Sequence, residues 1–250
     1  MERNVALYPW FQLFRNLLFW QAVWFLYFQS ELSAAEAILL YTVFDITTTL
    51  LEVPSGYMSD RLGRRLTLIA AAVAGVLGSG LLALGDGFWL FAFGQVALGA
   101  STAFVSGTDH SLLYESLAAE NRAAEIEEQE LRAWRFGFAG LALSAVTGGA
   151  MALYAPALPF GASALALVGA LVIAFRFAEP KHVTVSSDIV RFSDLRIAFS
   201  QPLLIWIFAL GTLMYGFSHL PFVFGQPFIL DALDTIGLAD EAPFVSGAVT

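Results

Sequence analysis

Ionisable side chains inside apolar stretches are the residues of this sequence that could do chemistry. Such stretches contain Arg15, Asp45, Glu52 and His219. A charge at membrane depth is costly unless it faces a cavity or a partner, so each of these groups marks a candidate site. Asp45 lies near the middle of its stretch, where a carboxylate can exchange a proton or bind a solute. We expect Asp45 to act in coupling or in substrate binding; the alternative is a hydrogen-bonded structural acid.

Two further candidates lie close to prolines near the carboxy-terminal end of the sequence. His219 precedes Pro221, and Gln226 precedes Pro227. Two prolines in seven residues interrupt the helical hydrogen-bond ladder and free backbone carbonyl groups. Broken helices commonly line transport sites, so we expect a polar site here. The alternative for His219 is an ordinary packing role.

Arg15 and Glu52 are expected to form an ion pair. Each lies about six residues from the same end of its apolar stretch, or about 9 Å at 1.5 Å per residue. Consecutive antiparallel helices would present the two side chains at matched depth. The alternatives are that the Arg15 side chain reaches toward the headgroups and that Glu52 is a structural acid beside Pro54.

A short charged segment, Gly56 to Arg65, separates two of the apolar stretches. Only Ser59 to Arg65 connect them, which predicts an antiparallel helical hairpin with its tip in water. The pattern G-x-x-x-D-R-x-G-R-R resembles the signature loop between helices 2 and 3 of the major facilitator superfamily. The resemblance implies that this loop is a conformational switch, and we expect Asp109 to supply a second carboxylate to it. The predicted switch residues are Gly56, Asp60, Arg61, Gly63, Arg64, Arg65 and Asp109.

Composition and hydropathy predict the elements that hold these residues. Hydrophobic residues make up 58% of 250, and charged residues make up 13%, whereas soluble domains are nearer half apolar and a quarter charged. Stretches of about 20 apolar residues are long enough to span a bilayer as helices. The sequence therefore predicts an all-α polytopic membrane protein. Its predicted helices 1 to 7 cover 9–29, 37–58, 66–85, 88–108, 134–154, 158–178 and 203–229, and an eighth starts near Pro243.

Loop lengths predict the domain organisation. Residues 1–178 are expected to form a six-helix amino-terminal bundle of the major facilitator type, 179–201 a cytoplasmic linker, and 203–250 the start of a second bundle. The resemblance implies two six-helix halves, so we expect the chain to be a fragment or an interrupted reading frame that lacks its carboxy-terminal half. We expect residues 1–250 alone to insert without transporting, unless they dimerise or meet a separate second half.

Charge distribution predicts the orientation and the location of the protein. All twelve lysines and arginines lie in or beside the segments that share a side with the amino terminus. Basic residues near helix ends favour the cytoplasmic side, whereas acidic residues matter little. We therefore expect a multi-pass plasma (inner) membrane protein with a cytoplasmic amino terminus. The net charge of −9 does not indicate nucleic acid.

Residue types and spacings do not favour an enzyme, a metal site or a cofactor. The chain has no cysteine, and its three histidines lie on separate segments without metal-ligand spacing. Asp109, His110 and Ser111 are consecutive, so a helix would point them in different directions rather than form a triad.

The resemblance implies secondary transport of a small solute by alternating access, with the lipid bilayer and a second half as partners and protons as the coupling ion. We expect efflux of small amphipathic compounds; the alternatives are a solute uptake symporter and a non-transporting fragment or scaffold. Two family motifs are incomplete, since Gln95 replaces the arginine of R-x-x-x-G in predicted helix 4, and Ser144 and Ala145 replace Gly-Pro in predicted helix 5. Gln95 is therefore a candidate for the same coupling or substrate site.

Overall fold

The computed structural model describes residues 1–180 and 200–249, except for the side chains of His219 and Phe222. It is 83% helical, and no strand occurs among the described residues. The helices are α1 (Glu2–Arg15), α2 (Trp24–Gln29), α3 (Ala34–Leu62), α4 (Arg64–Leu84), α5 (Phe88–Val105), α6 (Thr108–Ala118), α7 (Ile126–Ala152), α8 (Leu158–Arg176), α9 (Pro202–Asp234) and α10 (Ala242–Val249). Short 3-10 turns at Ala123–Glu125 and Ala239–Glu241 precede α7 and α10.

Two of the predicted helices are interrupted. Predicted helix 1 is divided into α1 and α2, separated by residues 16–23. Predicted helix 4 is divided into α5 and α6 at Ser106 and Gly107, and Gly107 has a φ of 71°, a left-handed conformation that glycine adopts without steric cost. Both interruptions create additional helix ends, whose backbone groups cannot all find partners within their own helix.

The helices do not pack in sequence order. Helix α4 packs mainly against α5 and α8, α3 packs against α5, and α1 packs against α7, α8 and α6. Small residues permit the close approaches: a Cβ on Gly78 of α4 would lie 2.9 Å from the carbonyl oxygen of Gly94 of α5. Such contacts replace the hydrophobic drive that lipid does not provide.

The helical connections define two ends of the bundle. We call the end that contains the turn at Gly63 the signature end; it also contains the segment between α6 and α7 and the residues after α8. The opposite end contains the connections α2–α3, α4–α5, α7–α8 and α9–α10. A buried aromatic cluster fills the opposite end and includes Trp24, Phe28, Phe91 and Phe160. These rings hold the short helix α2 against α3, α5 and α8.

Five helices of the described residues are long and apolar enough to cross a membrane: Ala34–Leu62, Arg64–Leu84, the joined Phe88–Ala118, Leu158–Arg176 and Pro202–Asp234. Predicted helices 1 and 5 are outside this set. Predicted helix 1 is outside because it is broken into α1 and α2. Predicted helix 5 corresponds to α7, which begins earlier than predicted, with charged residues such as Glu127 and Glu128. The predicted all-α polytopic fold is confirmed, although helix 1 is not the continuous span that hydropathy predicts.

Candidate functional site

A polar cleft lies between α1, α6 and α7. Its volume is about 480 Å³. Among the residues that line it are Arg15 from α1, Asp109 and His110 from α6, and Glu130 from α7. Both interrupted helices therefore contribute one of their new ends to the same cavity.

Arg15 and Asp109 join these two helix ends. A guanidinium nitrogen of Arg15 lies 3.7 Å from the Asp109 carboxylate, and the side chains are 31% and 14% exposed. Arg15 is in the last turn of α1, and Asp109 is in the first turn of α6. The positive charge of Arg15 thus lies at the carboxy-terminal end of α1, and the negative charge of Asp109 lies at the amino-terminal end of α6. The dipole of each helix stabilises the charge at its end, in addition to the attraction between the two charges.

Gln12 fixes the orientation of this pair. Its amide nitrogen donates to Asp109 Oδ2 at 2.7 Å and to the Tyr8 hydroxyl at 3.0 Å, and its oxygen accepts from Arg15 at 3.3 Å. Asn16 donates to the Gln12 backbone carbonyl at 2.7 Å. The result is a hydrogen-bonded network along one face of α1.

A second charged pair and an aromatic pair complete the cleft. The His110 imidazole contacts the Glu130 carboxylate. One and two turns further along α7, Trp134 and Phe138 place their ring centroids 5.6 Å apart. These rings are 63% and 59% exposed, so the cleft offers charged groups beside an open apolar surface.

The expected Arg15–Glu52 ion pair is wrong. Glu52 instead accepts a hydrogen bond from the Ser106 hydroxyl at 3.3 Å, whereas Arg15 pairs with Asp109. The interruption of predicted helix 4 lies between the two side chains, because α1 packs against α6 and α3 packs against α5. Predicted helices 1 and 2 are consecutive in the sequence, but α1 packs against α6, α7 and α8 rather than against α3.

The signature loop is organised around Arg64. Its guanidinium donates to Asp60 at 2.7 Å, to the Ser59 hydroxyl at 2.8 Å and to Glu115 at 3.0 Å. Asp60 is 63% exposed, whereas the Glu115 side chain is 8% exposed. The second carboxylate of the loop is therefore Glu115, and the expectation that Asp109 takes this place is wrong. Asp109 lies two turns earlier on α6, where it faces α1.

Glu179 caps the helix that follows the loop. Its two carboxylate oxygens accept from the backbone N–H groups of Arg64 at 2.7 Å and Arg65 at 2.9 Å. Gly63 has a φ of 103°, and a Cβ there would lie 2.7 Å from the Glu179 carboxylate carbon. Glycine is thus required both by the backbone and by this carboxylate. The Arg65 side chain donates to the Phe175 carbonyl at 3.0 Å, which ties the loop to the end of α8.

Two predicted loop residues lie outside this network. Arg61 is exposed and lies over the Tyr57 ring at 5.1 Å from its centroid. Gly56 is exposed, and a Cβ added there would have no atom within 4 Å. Any requirement for glycine at position 56 therefore comes from a surface that the described residues leave uncovered.

The other predicted candidates lie apart from the cleft. Asp45 is half-buried on α3, within electrostatic reach of the hydroxyl groups of Tyr41 and of Tyr215 on α9. Gln95 is buried in α5. The His219 side chain lies outside the described residues. The structure thus separates Arg15 in the cleft from Asp45 on α3 and Gln95 on α5, although all three are predicted coupling or substrate residues.

Gln226 makes a specific contact across the chain. Its amide nitrogen donates to the Gln21 carbonyl at 3.0 Å, and its oxygen accepts from the Phe25 backbone N–H at 3.0 Å. Gln21 lies in the interruption before α2, and Phe25 lies in the first turn of α2. Gln226 is buried, whereas positions 202–218 of α9 are exposed. Helix α9 is therefore attached near the opposite end through Gln226, which supplies hydrogen-bond partners to two backbone groups at the break in predicted helix 1.

The carboxy-terminal helix α10 packs on α7 at glycines. A Cβ on Gly149 would lie 3.2 Å from the Cα of Gly247. The family motif of helix 5 ends in two adjacent glycines, and Gly148 and Gly149 match them, whereas Ser144 and Ala145 replace its Gly-Pro. Close packing between α7 and α10 therefore depends on the part of that motif which this sequence retains.

Sequence reasoning missed several residues of the site. Glu130 belongs to an acidic run that reads as a solvated helix face, and His110 belongs to a consecutive triplet without catalytic geometry. The spacing of Tyr8, Gln12 and Arg15, four and three residues apart, was the available signal, since it places them on one helical face. Across residues 1–180 and 200–249, no group of three histidine, cysteine, aspartate or glutamate side chains is arranged to hold a metal ion.

Comparison with known proteins agrees with this architecture. The family model of the Major Facilitator Superfamily matches residues 8–249. Similar solved structures include a POT family transporter in complex with a thioalcohol-conjugated peptide, with a TM-score of 0.59, 12% identity, and coverage of 94% of this chain and 51% of that one. Another is a POT family transporter in complex with 5-aminolevulinic acid, with a TM-score of 0.54, 14% identity, and coverage of 94% and 52%.

A search of curated proteins found no matching sequence. The chain spans about half the length of the solved structures to which it is similar. At these identities the structural likeness shows the fold, and the family match covers nearly the whole sequence. The chain belongs to the Major Facilitator Superfamily.

Proposed function

We propose that this chain provides one half of a secondary transporter that moves a small solute by alternating access. The observation that carries the proposal is the cleft in which the ends of two interrupted helices meet through Arg15 and Asp109. Discontinuous helices place charged groups and free backbone groups at transporter sites. The similar solved structures are in complex with a peptide conjugate and with 5-aminolevulinic acid, which supports a small-molecule substrate.

Direction and orientation are part of the same proposal. We expect export of amphipathic compounds across the plasma (inner) membrane, with the signature end in the cytoplasm, because the basic residues concentrate there. Solute uptake by symport is the second candidate, and the polar residue Gln95 in place of the motif arginine favours it over proton-coupled export.

Flux measurements with the cleft variants test the proposal. The chain is reconstituted into liposomes alone and together with a separately made second half. We expect saturable, gradient-driven flux only from the combination, because alternating access needs two bundles around a shared site. Asp109→Asn and Arg15→Gln should each abolish that flux.

Arg122→Gln is the matched control. Arg122 pairs with Glu125 in the connection before α7, where its guanidinium lowers the pKa of that carboxyl. This pair lies outside the cleft, so the variant should transport normally. Full flux in the Asp109→Asn and Arg15→Gln variants would show that the cleft is not part of the transport pathway. Flux from a monomer of the chain alone would overturn the two-bundle mechanism.

A further inference from the structure

We propose that the cleft binds an amphipathic cation, with its charged head at Glu130 and its apolar body along Trp134 and Phe138. The inference rests on the proposed function and adds the chemical class of the solute. It is carried by the charges that line the cleft and by the aromatic surface next to them.

The first argument is the charge balance of the lining. Arg15 and Asp109 neutralise each other, and Gln12 forms a hydrogen bond with each of them. The carboxylate that remains is Glu130, whose partner is the imidazole of His110. The other basic residues of α7, Arg132 and Arg135, do not line the cleft.

The second argument is access. The Glu130 side chain is 29% exposed, and that of His110 is 56% exposed. A ligand amine can therefore reach Glu130 from the open side of the cleft and replace the imidazole as its partner. An ammonium group carries a full positive charge and donates charge-assisted hydrogen bonds to a carboxylate. Cation binding thus gives Glu130 a partner of opposite charge in place of the imidazole.

The third argument is the arrangement of α7. Trp134 and Phe138 follow Glu130 at intervals of four residues, so the carboxylate and both rings share one helical face. Eight residues correspond to about 12 Å along the helix. Exposed ring faces attract a cation and bury an apolar body. An elongated amine with an aromatic or alkyl body matches both the length and the polarity of this strip.

Binding of a matched pair of probes tests the proposal. The probes are 4-phenylbutylamine and 4-phenylbutyrate, which share an apolar body and differ in the sign of their charge. Equilibrium dialysis against the purified chain in non-ionic detergent micelles measures both. We expect the amine to bind and the carboxylate to bind at least about tenfold more weakly.

Variants of α7 and α6 locate the head and body sites. Glu130→Gln should weaken amine binding about tenfold, and Trp134→Leu about threefold, through loss of part of the aromatic surface that covers the apolar body. His110→Ala should strengthen amine binding, because it removes the competing partner of Glu130. If the His110–Glu130 pair had a purely structural role, His110→Ala would instead weaken amine binding. Glu127→Gln and Trp89→Leu, at exposed positions outside the cleft, should change nothing.

Three outcomes would overturn the proposal. These are equal binding of the two probes, unchanged amine binding in the Glu130→Gln variant, and an equal loss in the Glu127→Gln variant. If any of these occurs while the Arg15 and Asp109 variants still abolish flux, only the ligand class is wrong. If the amine binds as expected and those variants transport normally, the cleft is a binding site outside the transport pathway.

Discussion

The two carboxylates that share Arg64 should contribute very differently to stability. The Arg64 side chain is 14% exposed, and it contacts Glu115, which is 8% exposed, and Asp60, which is 63% exposed. Exposed ion pairs contribute about 0 to 1 kcal/mol because water and salt screen them. Loss of one partner of a buried pair costs more, since the other charge is left without compensation in a medium of low polarity.

We therefore expect Glu115→Gln to lower the free energy of unfolding by about 2 kcal/mol, less than the roughly 3 to 5 kcal/mol typical of a buried pair, because Arg64 keeps its other partners. Asp60→Asn should lower it by less than about 1 kcal/mol. Helicity measured by circular dichroism during titration of mixed micelles with dodecyl sulfate gives both values. Arg64→Gln in each background completes two double-mutant cycles, which isolate the pairwise terms.

The coupling of Arg64 to Glu115 should exceed its coupling to Asp60 by about 1 kcal/mol or more. Equal couplings, or a larger one with Asp60, would refute the reasoning from burial. The conformational role that the resemblance assigns to Asp60 concerns the balance between transport states, so a small effect of Asp60→Asn on unfolding is compatible with it.

Three further contacts give predictions of similar size. Arg15→Gln and Glu52→Gln should be additive within about 0.5 kcal/mol in the same unfolding assay, because another helix lies between them; a coupling above about 1 kcal/mol would restore the direct ion pair. Glu179→Gln should cost about 1 kcal/mol through weaker capping of α4, and an unchanged unfolding curve would contradict this. Gln226→Leu should release α9 from α2, since each unpaired backbone group costs about 1 to 3 kcal/mol. The chain has no cysteine, so spin labels on one cysteine introduced into each helix should report a longer distance in this variant. An unchanged distance would contradict the contact.

Much of the fold was predictable because it depends on local sequence patterns. Apolar runs predict the positions of α3, α4, α8 and α9 to within a few residues, since an isolated backbone in lipid has to form helix. The charged segment Gly56–Arg65 predicts both the hairpin at Gly63 and the family. Hydropathy did not predict the interruption before α2, because apolar residues such as Leu17 and Trp20 continue through it.

The candidate site depended on which helices are neighbours. The sequence by itself identified Arg15 and Glu52 as charges that need partners, because burial of an unpaired charge is costly in any fold, and it identified Asp109 as an expected second carboxylate of the signature loop. It could not assign those partners. Only the tertiary structure placed α6 beside α1 and so joined Arg15 to Asp109, 94 residues away in the chain. The physical reason is that hydrophobic periodicity specifies each helix locally, whereas the order of packing follows from contacts between distant small residues that carry no charge signal.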